Sequence, residues 1–100
     1  MVFRVVFATR AIQDRSDIVR FQAELNAAYA GRLGYSLFDA AMSLATLPRR
    51  GTAIPERPGY RRLLHPRWHP ILYAVNDANQ SVTIVRIRDA RNDPKLPWSG

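Results

Sequence analysis

The chain is 100 residues long with 47% apolar content, which suits one globular domain and leaves no room for a second core. It contains no cysteine, so disulfides, thiolate metal sites and thiol nucleophiles are excluded. Its formal net charge is +7, and the charge is uneven. Residues 1–48 hold five arginines against four acids, whereas residues 49–100 hold nine arginines and one lysine against four acids. The basic surface therefore belongs to the C-terminal half, and it calls for an anionic partner: nucleic acid or an acidic protein. No run is long and apolar enough to span a bilayer, and the opening MVFRVVFATRA lacks a cleavage site, so a cytoplasmic protein is expected.

VFRVVFA, rich in β-branched and aromatic residues, predicts a first strand, and Thr9 is a candidate cap for the helix that follows. From Arg10 onward, Ala11, Asp14, Ile18, Phe21 and Leu25 recur on one side at helical spacing. Asp14 and Asp17 near its start suit the positive end of a helix. Asn26 marks a break and a new N-cap. Beyond it, Ala30, Leu33, Leu37, Ala40, Ala41, Leu44 and Leu47 trace a second stripe that Pro48 ends. Two helices joined so closely must pack as an antiparallel hairpin. Gly31 and Gly34 weaken the second by roughly 1 kcal/mol each relative to alanine.

PRRGTAIPERPG (48–59) reads as an exposed loop. Three strands follow in YRRLLH, WHPILYAV and SVTIVRIR, with NDANQ as the turn between the last two, which is the spacing of an antiparallel meander. The tail DPKLPWSG carries two prolines and adds no further element; residues from about 95 onward are expected to fray or wrap. The predicted fold is α+β, in the order β-α-α-β-β-β. Its hairpin covers one face of an antiparallel sheet and the other face is left open.

On the last strand, strict alternation sets Val82, Ile84, Arg86 and Arg88 on one side and Thr83, Val85 and Ile87 on the other. If Val85 and Ile87 meet the helices, Arg86 and Arg88 face outward, and one of Arg61 and Arg62 must join them. The same arginines also fit an ordinary solvated surface. HPRWHP holds both histidines, His65 and His69, around Trp68. Histidine can act as general acid or base near neutrality, but two histidines four apart with no nearby carboxylate make a poor metal site, so both are read as structural or surface residues and Trp68 as packing at a strand start. Neither a catalytic triad, a phosphate-cradling glycine loop nor a paired-carboxylate motif is visible, and neither metal nor cofactor is expected.

Taken together, FRVVFATRAIQD, DIVRF, the small residues around Ala30, LATLPRRG, Arg62 ahead of ILYAV, and IVRIRDARNDP resemble the RelE/ParE superfamily of bacterial type II toxin–antitoxin toxins, from Val2 to about Pro94. The resemblance implies a toxin neutralised by a cognate antitoxin with an acidic or partly disordered segment, and a hetero-oligomer of the two. Phe21, Leu25, Tyr29, Leu33 and Phe38 are the candidate antitoxin contacts. ParE-like members poison DNA gyrase, and the closing Arg91, Asn92 and Asp93 fit that branch, with Arg61, Arg62, Arg86, Arg88 and Arg91 as the target-facing basic surface. The alternative is a RelE-like ribosome-dependent mRNA endonuclease, with Arg62 and Arg86 holding phosphate and His69 as acid or base. Against it, this chain has no tyrosine after Tyr73 and no histidine after His69. A third reading is a non-toxic basic module that only binds an acidic partner.

Overall fold

The structure, a computed structural model, describes residues 2–64 and 68–89. In chain order the elements are β1 (Arg4–Phe7), α1 (Thr9–Leu25), α2 (Ala27–Met42), a 3-10 turn (Ser43–Ala45), β2 (Thr52–Ala53), β3 (Tyr60–Leu63), β4 (Ile71–Asn76) and β5 (Ser81–Ile87). The expected β-α-α-β-β-β order is present. One two-residue strand is added inside the stretch read as a loop, where Thr52 and Ala53 pair with Arg62 and Arg61. The strands form a sheet in the order β1-β5-β4-β3-β2. Neighbours from β2 to β5 are antiparallel, but β1 runs parallel to β5, so the sheet is mixed rather than antiparallel. The helical crossover sets the direction of β1, and strand periodicity carries no information about it.

The hairpin turns at Asn26, whose extended backbone (φ −162°, ψ 105°) breaks the helix while its side chain accepts the Tyr29 N–H at 3.0 Å. Thr9, by contrast, is already helical; Ala8 holds the cap position of α1 and supplies no side-chain bond. In α1 the buried residues are Ala11, Ile18 and Gln22. Phe21 and Leu25 lie together on one side of that line and stay exposed. In α2 the stripe Ala30, Leu33, Leu37, Ala40 and Ala41 is buried as patterned, and Leu44 continues it. Leu47 does not, because the α-helix stops at Met42 and the chain turns away. The helices approach closely at Gly34, whose carbonyl accepts from Arg15 Nε at 3.1 Å.

These residues close a single core with Leu63, Ile71, Tyr73, Val82, Ile84 and Ile87 from the sheet. Val82, Ile84 and Ile87 cannot share a face under strict alternation. The ladder resolves this: Tyr73 lies opposite Ile84 and Leu72 opposite Arg86, so Val85 is an extra residue in a β-bulge. Val82 and Ile84 therefore face the helices, contrary to the alternating reading, and the phase flips before Ile87. Among the described residues no helix is long and apolar enough to cross a membrane.

Candidate functional site

Register defines the outer face. Leu63, Ile71 and Tyr73 belong to the helix-side core, so their neighbours Arg62 and Leu72 point the other way. Arg86 stands opposite Leu72, giving a row Thr52, Arg62, Leu72, Arg86 across four strands. Of the adjacent pair, Arg62 is thus the outward one, and its Nε is buried with no hydrogen-bond partner among the described residues. Arg61 stands opposite Tyr73. Its guanidinium donates to the carbonyl of Gly51 at 2.7 Å and that of Arg49 at 3.4 Å, a structural role rather than an outward one.

Arg86 is not a free surface cation. It grips Asp14 of α1 through two bonds, Nε to Oδ2 at 2.7 Å and Nη2 to Oδ1 at 3.1 Å. Oδ2 also accepts the backbone N–H of Ile87 at 3.0 Å. The reason lies in the topology: β1 pairs with β5 only as far as Ile84, and beyond it Asp14 supplies the acceptor that a neighbouring strand would have supplied. Asp14 is therefore a strand-edge acceptor, not a helix-end charge. Arg10 Nε lies 3.8 Å from the same carboxylate. Arg88 is close enough for its guanidinium pKa to be pushed down, first by burial and then by Arg86 and Arg10, with Asp14 opposing. Three guanidinium groups thus share one carboxylate at this end of the sheet.

At the opposite end, Tyr73 is fully buried yet its hydroxyl donates to the Pro48 carbonyl and accepts the Gly51 N–H, both at 2.8 Å. Burial raises the Tyr73 pKa, against the lowering influence of the Gly51 bond and of Arg61, Arg50 and Arg49. Arg50 Nη1 reaches Ser43 Oγ at 2.7 Å, and Arg49 pairs with Asp77. The arginine-bearing turn is thereby fixed in place. A Cβ at Gly51 would stand 2.7 Å from the Tyr73 hydroxyl oxygen and 2.8 Å from the Arg62 carbonyl, so only glycine fits.

His69 is 1% exposed, with Nε2 3.8 Å from Asp89 Oδ2, so the residue offered as acid or base is enclosed rather than open to a large substrate. Trp68, in contrast, is exposed. Arg91, Asn92, Asp93, His65 and the tail lie outside the described residues. Of the candidate antitoxin contacts, Phe21, Leu25 and Tyr29 are exposed around the end of the hairpin, while Leu33 is core and unavailable to a partner. Phe38 is exposed and stacks on Phe7, with ring centroids 6.0 Å apart.

Sequence reading missed Asp14 as the partner of Arg86 and Tyr73 as the anchor of the turn. Both left a signal: a carboxylate on the apolar side of α1, and a hydroxyl within an apolar strand, each needing a buried partner.

The described residues thus place a helix hairpin on one face of a small mixed sheet, with Arg62 and Arg86 in one row on the other. The model of the ParE toxin of type II toxin–antitoxin system, parDE, matches residues 5–94, and the chain belongs to that family. Among solved structures it is similar to a chain of the chromosomal ParDE toxin–antitoxin system from P. aeruginosa, with a TM-score of 0.74 and 21% identity over 88% of this chain and 96% of that one. A chain of the RelBE2 toxin–antitoxin complex from Mycobacterium tuberculosis matches with a TM-score of 0.68 and 20% identity, over 89% and 99% respectively. No curated protein sequence matches.

Proposed function

We propose that this ParE-type toxin acts in the cytoplasm by poisoning DNA gyrase, and that a cognate antitoxin with an acidic segment neutralises it. The observation that carries this reading is the outer sheet face. Arg62 and Arg86 stand in one row of that face, with Arg88 two residues further along the chain, while His69, the residue a nuclease reading needs, is buried. Such a surface suits binding to the phosphates of a gyrase-bound DNA, with no proton transfer asked of the protein. The exposed Phe21, Leu25 and Tyr29 and the excess of arginine suit an acidic antitoxin with apolar anchors.

Purified toxin, gyrase, ATP and plasmid test it, scored for supercoiling and for protein-linked cleaved DNA beside a ribosome-dependent message-cleavage assay. Trapped cleaved DNA with intact message is expected. Arg62→Ala and Arg88→Ala should each lower the trapped DNA by roughly tenfold, about 1.4 kcal/mol of binding, in protein that remains folded. Cut message with intact DNA would establish the RelE-like alternative. Growth unaffected by the toxin expressed alone would favour the non-toxic module.

A further inference from the structure

On the helix side of the sheet, Ala53, Arg61 and Tyr73 stand abreast in register across β2, β3 and β4. Beside them is a cleft of about 340 Å³ that no residue of α1 or α2 lines; Ile54, Pro55, Pro58 and Val75 are its apolar walls. Its volume falls in the range of small-molecule sites, roughly 300–1,000 Å³. The walls are fixed by the chain itself. The Ile54 N–H donates to the Tyr60 carbonyl, the Arg57 N–H to the Ile54 carbonyl and the Tyr60 N–H to the Arg57 carbonyl, each at 3.0 Å. Gly59 closes these turns at a φ of 87°, which its lack of a side chain permits, and its carbonyl takes the Val75 N–H at 3.0 Å. The two prolines add locked φ angles to the same stretch. The cleft is therefore formed before any ligand arrives.

One side of this cleft is charged. Arg61 is half-buried in its lining, and Nη1 alone carries the bonds to the Gly51 and Arg49 carbonyls that hold the guanidinium in place. Among the described residues Nε and Nη2 make no hydrogen bond. Those two nitrogens are the side-on edge of the guanidinium, which can donate to both oxygens of a carboxylate or phosphate at once. The lining holds one carboxylate, Asp77, and it is already paired with Arg49, so the charge of Arg61 is left uncompensated. The neighbouring Tyr73 hydroxyl registers the positive surroundings, since Arg61, Arg50 and Arg49 each oppose the rise of its pKa.

From a preformed apolar cleft with a fixed, unused guanidinium edge we infer a binding site for a small oxyanion carried on an apolar, ring-sized body, the chemistry of a nucleoside monophosphate or of an aromatic carboxylate. The oxyanion takes the Nε–Nη2 edge of Arg61, and the ring lies against Pro55, Pro58, Ile54 and Val75. The site is on the sheet face opposite the row of Arg62 and Arg86. It therefore goes beyond the preceding reading and does not depend on gyrase.

The probes are adenosine 5′-monophosphate and benzoate, each titrated into the full chain and followed by amide chemical shifts, with inorganic phosphate and adenosine as partial ligands. Saturable shifts at Gly59 and Val75 are expected with at least one of the two probes, at a dissociation constant of about 1 mM or tighter and at least about tenfold below those of the partial ligands. Saturation by the nucleotide alone assigns the oxyanion as phosphate, and saturation by benzoate alone assigns it as carboxylate. Arg61→Lys keeps the charge but loses the two-nitrogen edge, and should weaken binding by roughly tenfold. Ala53→Trp, at an exposed position in the lining, fills the cleft without altering Arg61 and should abolish binding even if the Arg61 variant fails to fold. The inference is wrong if neither probe saturates, if inorganic phosphate binds as tightly as the nucleotide and benzoate does not bind, if the shifts map to Arg62, Leu72 and Arg86 instead, or if the Ala53 variant binds like the parent.

Discussion

Asp14 and Arg86, 72 positions apart in sequence, form a two-bond carboxylate–guanidinium pair whose carboxylate also takes the Ile87 N–H. The pair fastens α1 to the end of β5 where β1 no longer accompanies it. Asp14 is 11% exposed and Arg86 21%, so water screens them only partly.

Asp14→Ala strands both a shielded guanidinium and a backbone donor, and should destabilise the fold by about 2 kcal/mol. Asp14→Asn keeps an acceptor for the Ile87 N–H and should cost clearly less. Urea unfolding of the two variants checks the order. Equal losses would mean that the Ile87 bond contributes nothing.

Arg86→Ala should lower stability together with toxicity, whereas Arg88→Ala should lower toxicity with the smaller loss of stability. Melting temperatures measured alongside growth inhibition separate the two. An Arg86 variant as stable as the parent would return Arg86 to the list of free binding groups.

At Gly51 even one added methyl collides with the Tyr73 hydroxyl and the Arg62 carbonyl. Gly51→Ala should cost roughly 1–3 kcal/mol by overpacking, and should displace the turn that carries Arg49 and Arg50. Thermal melting reads the first effect. Faster amide exchange at Gly51 than at core strand positions reads the second.

Tyr73 links stability to alkaline pH. Its folded-state pKa is raised above the ordinary 10.0 because burial penalises the phenolate. The folded chain then holds the proton more tightly than the unfolded chain, so this contribution is complete below about pH 10 and is lost as pH rises through the raised value. Stability curves from pH 8 to 11 should fall at the upper end. Tyr73→Phe should lower stability at pH 8 by about 1–3 kcal/mol through the orphaned Gly51 N–H, and should flatten that alkaline fall.

Much of the fold was written locally. The apolar stripe from Ala30 to Leu44, the Asn26 cap, and the three closing strands each follow from a period or a turn signal spanning a few residues. So does the requirement that one of Arg61 and Arg62 face outward; Leu63 in the core then makes it Arg62. The basic half-chain pointed to an anionic partner, and the lack of cysteine excluded thiol chemistry, before any contact was known.

Tertiary structure alone decided the rest, because each point turns on groups far apart in sequence. The parallel pairing of β1 with β5 depends on how the hairpin returns the chain. One bulge at Val85 moved Val82 and Ile84 to the helix face, since an extra residue in a two-residue period inverts every side chain beyond it. The same distance effect turned Arg86 from a free cation into the partner of Asp14, enclosed His69, and tied Arg61 to the Gly51 carbonyl. Composition determined how many arginines the surface would carry; only long-range packing determined which of them remain available to a partner.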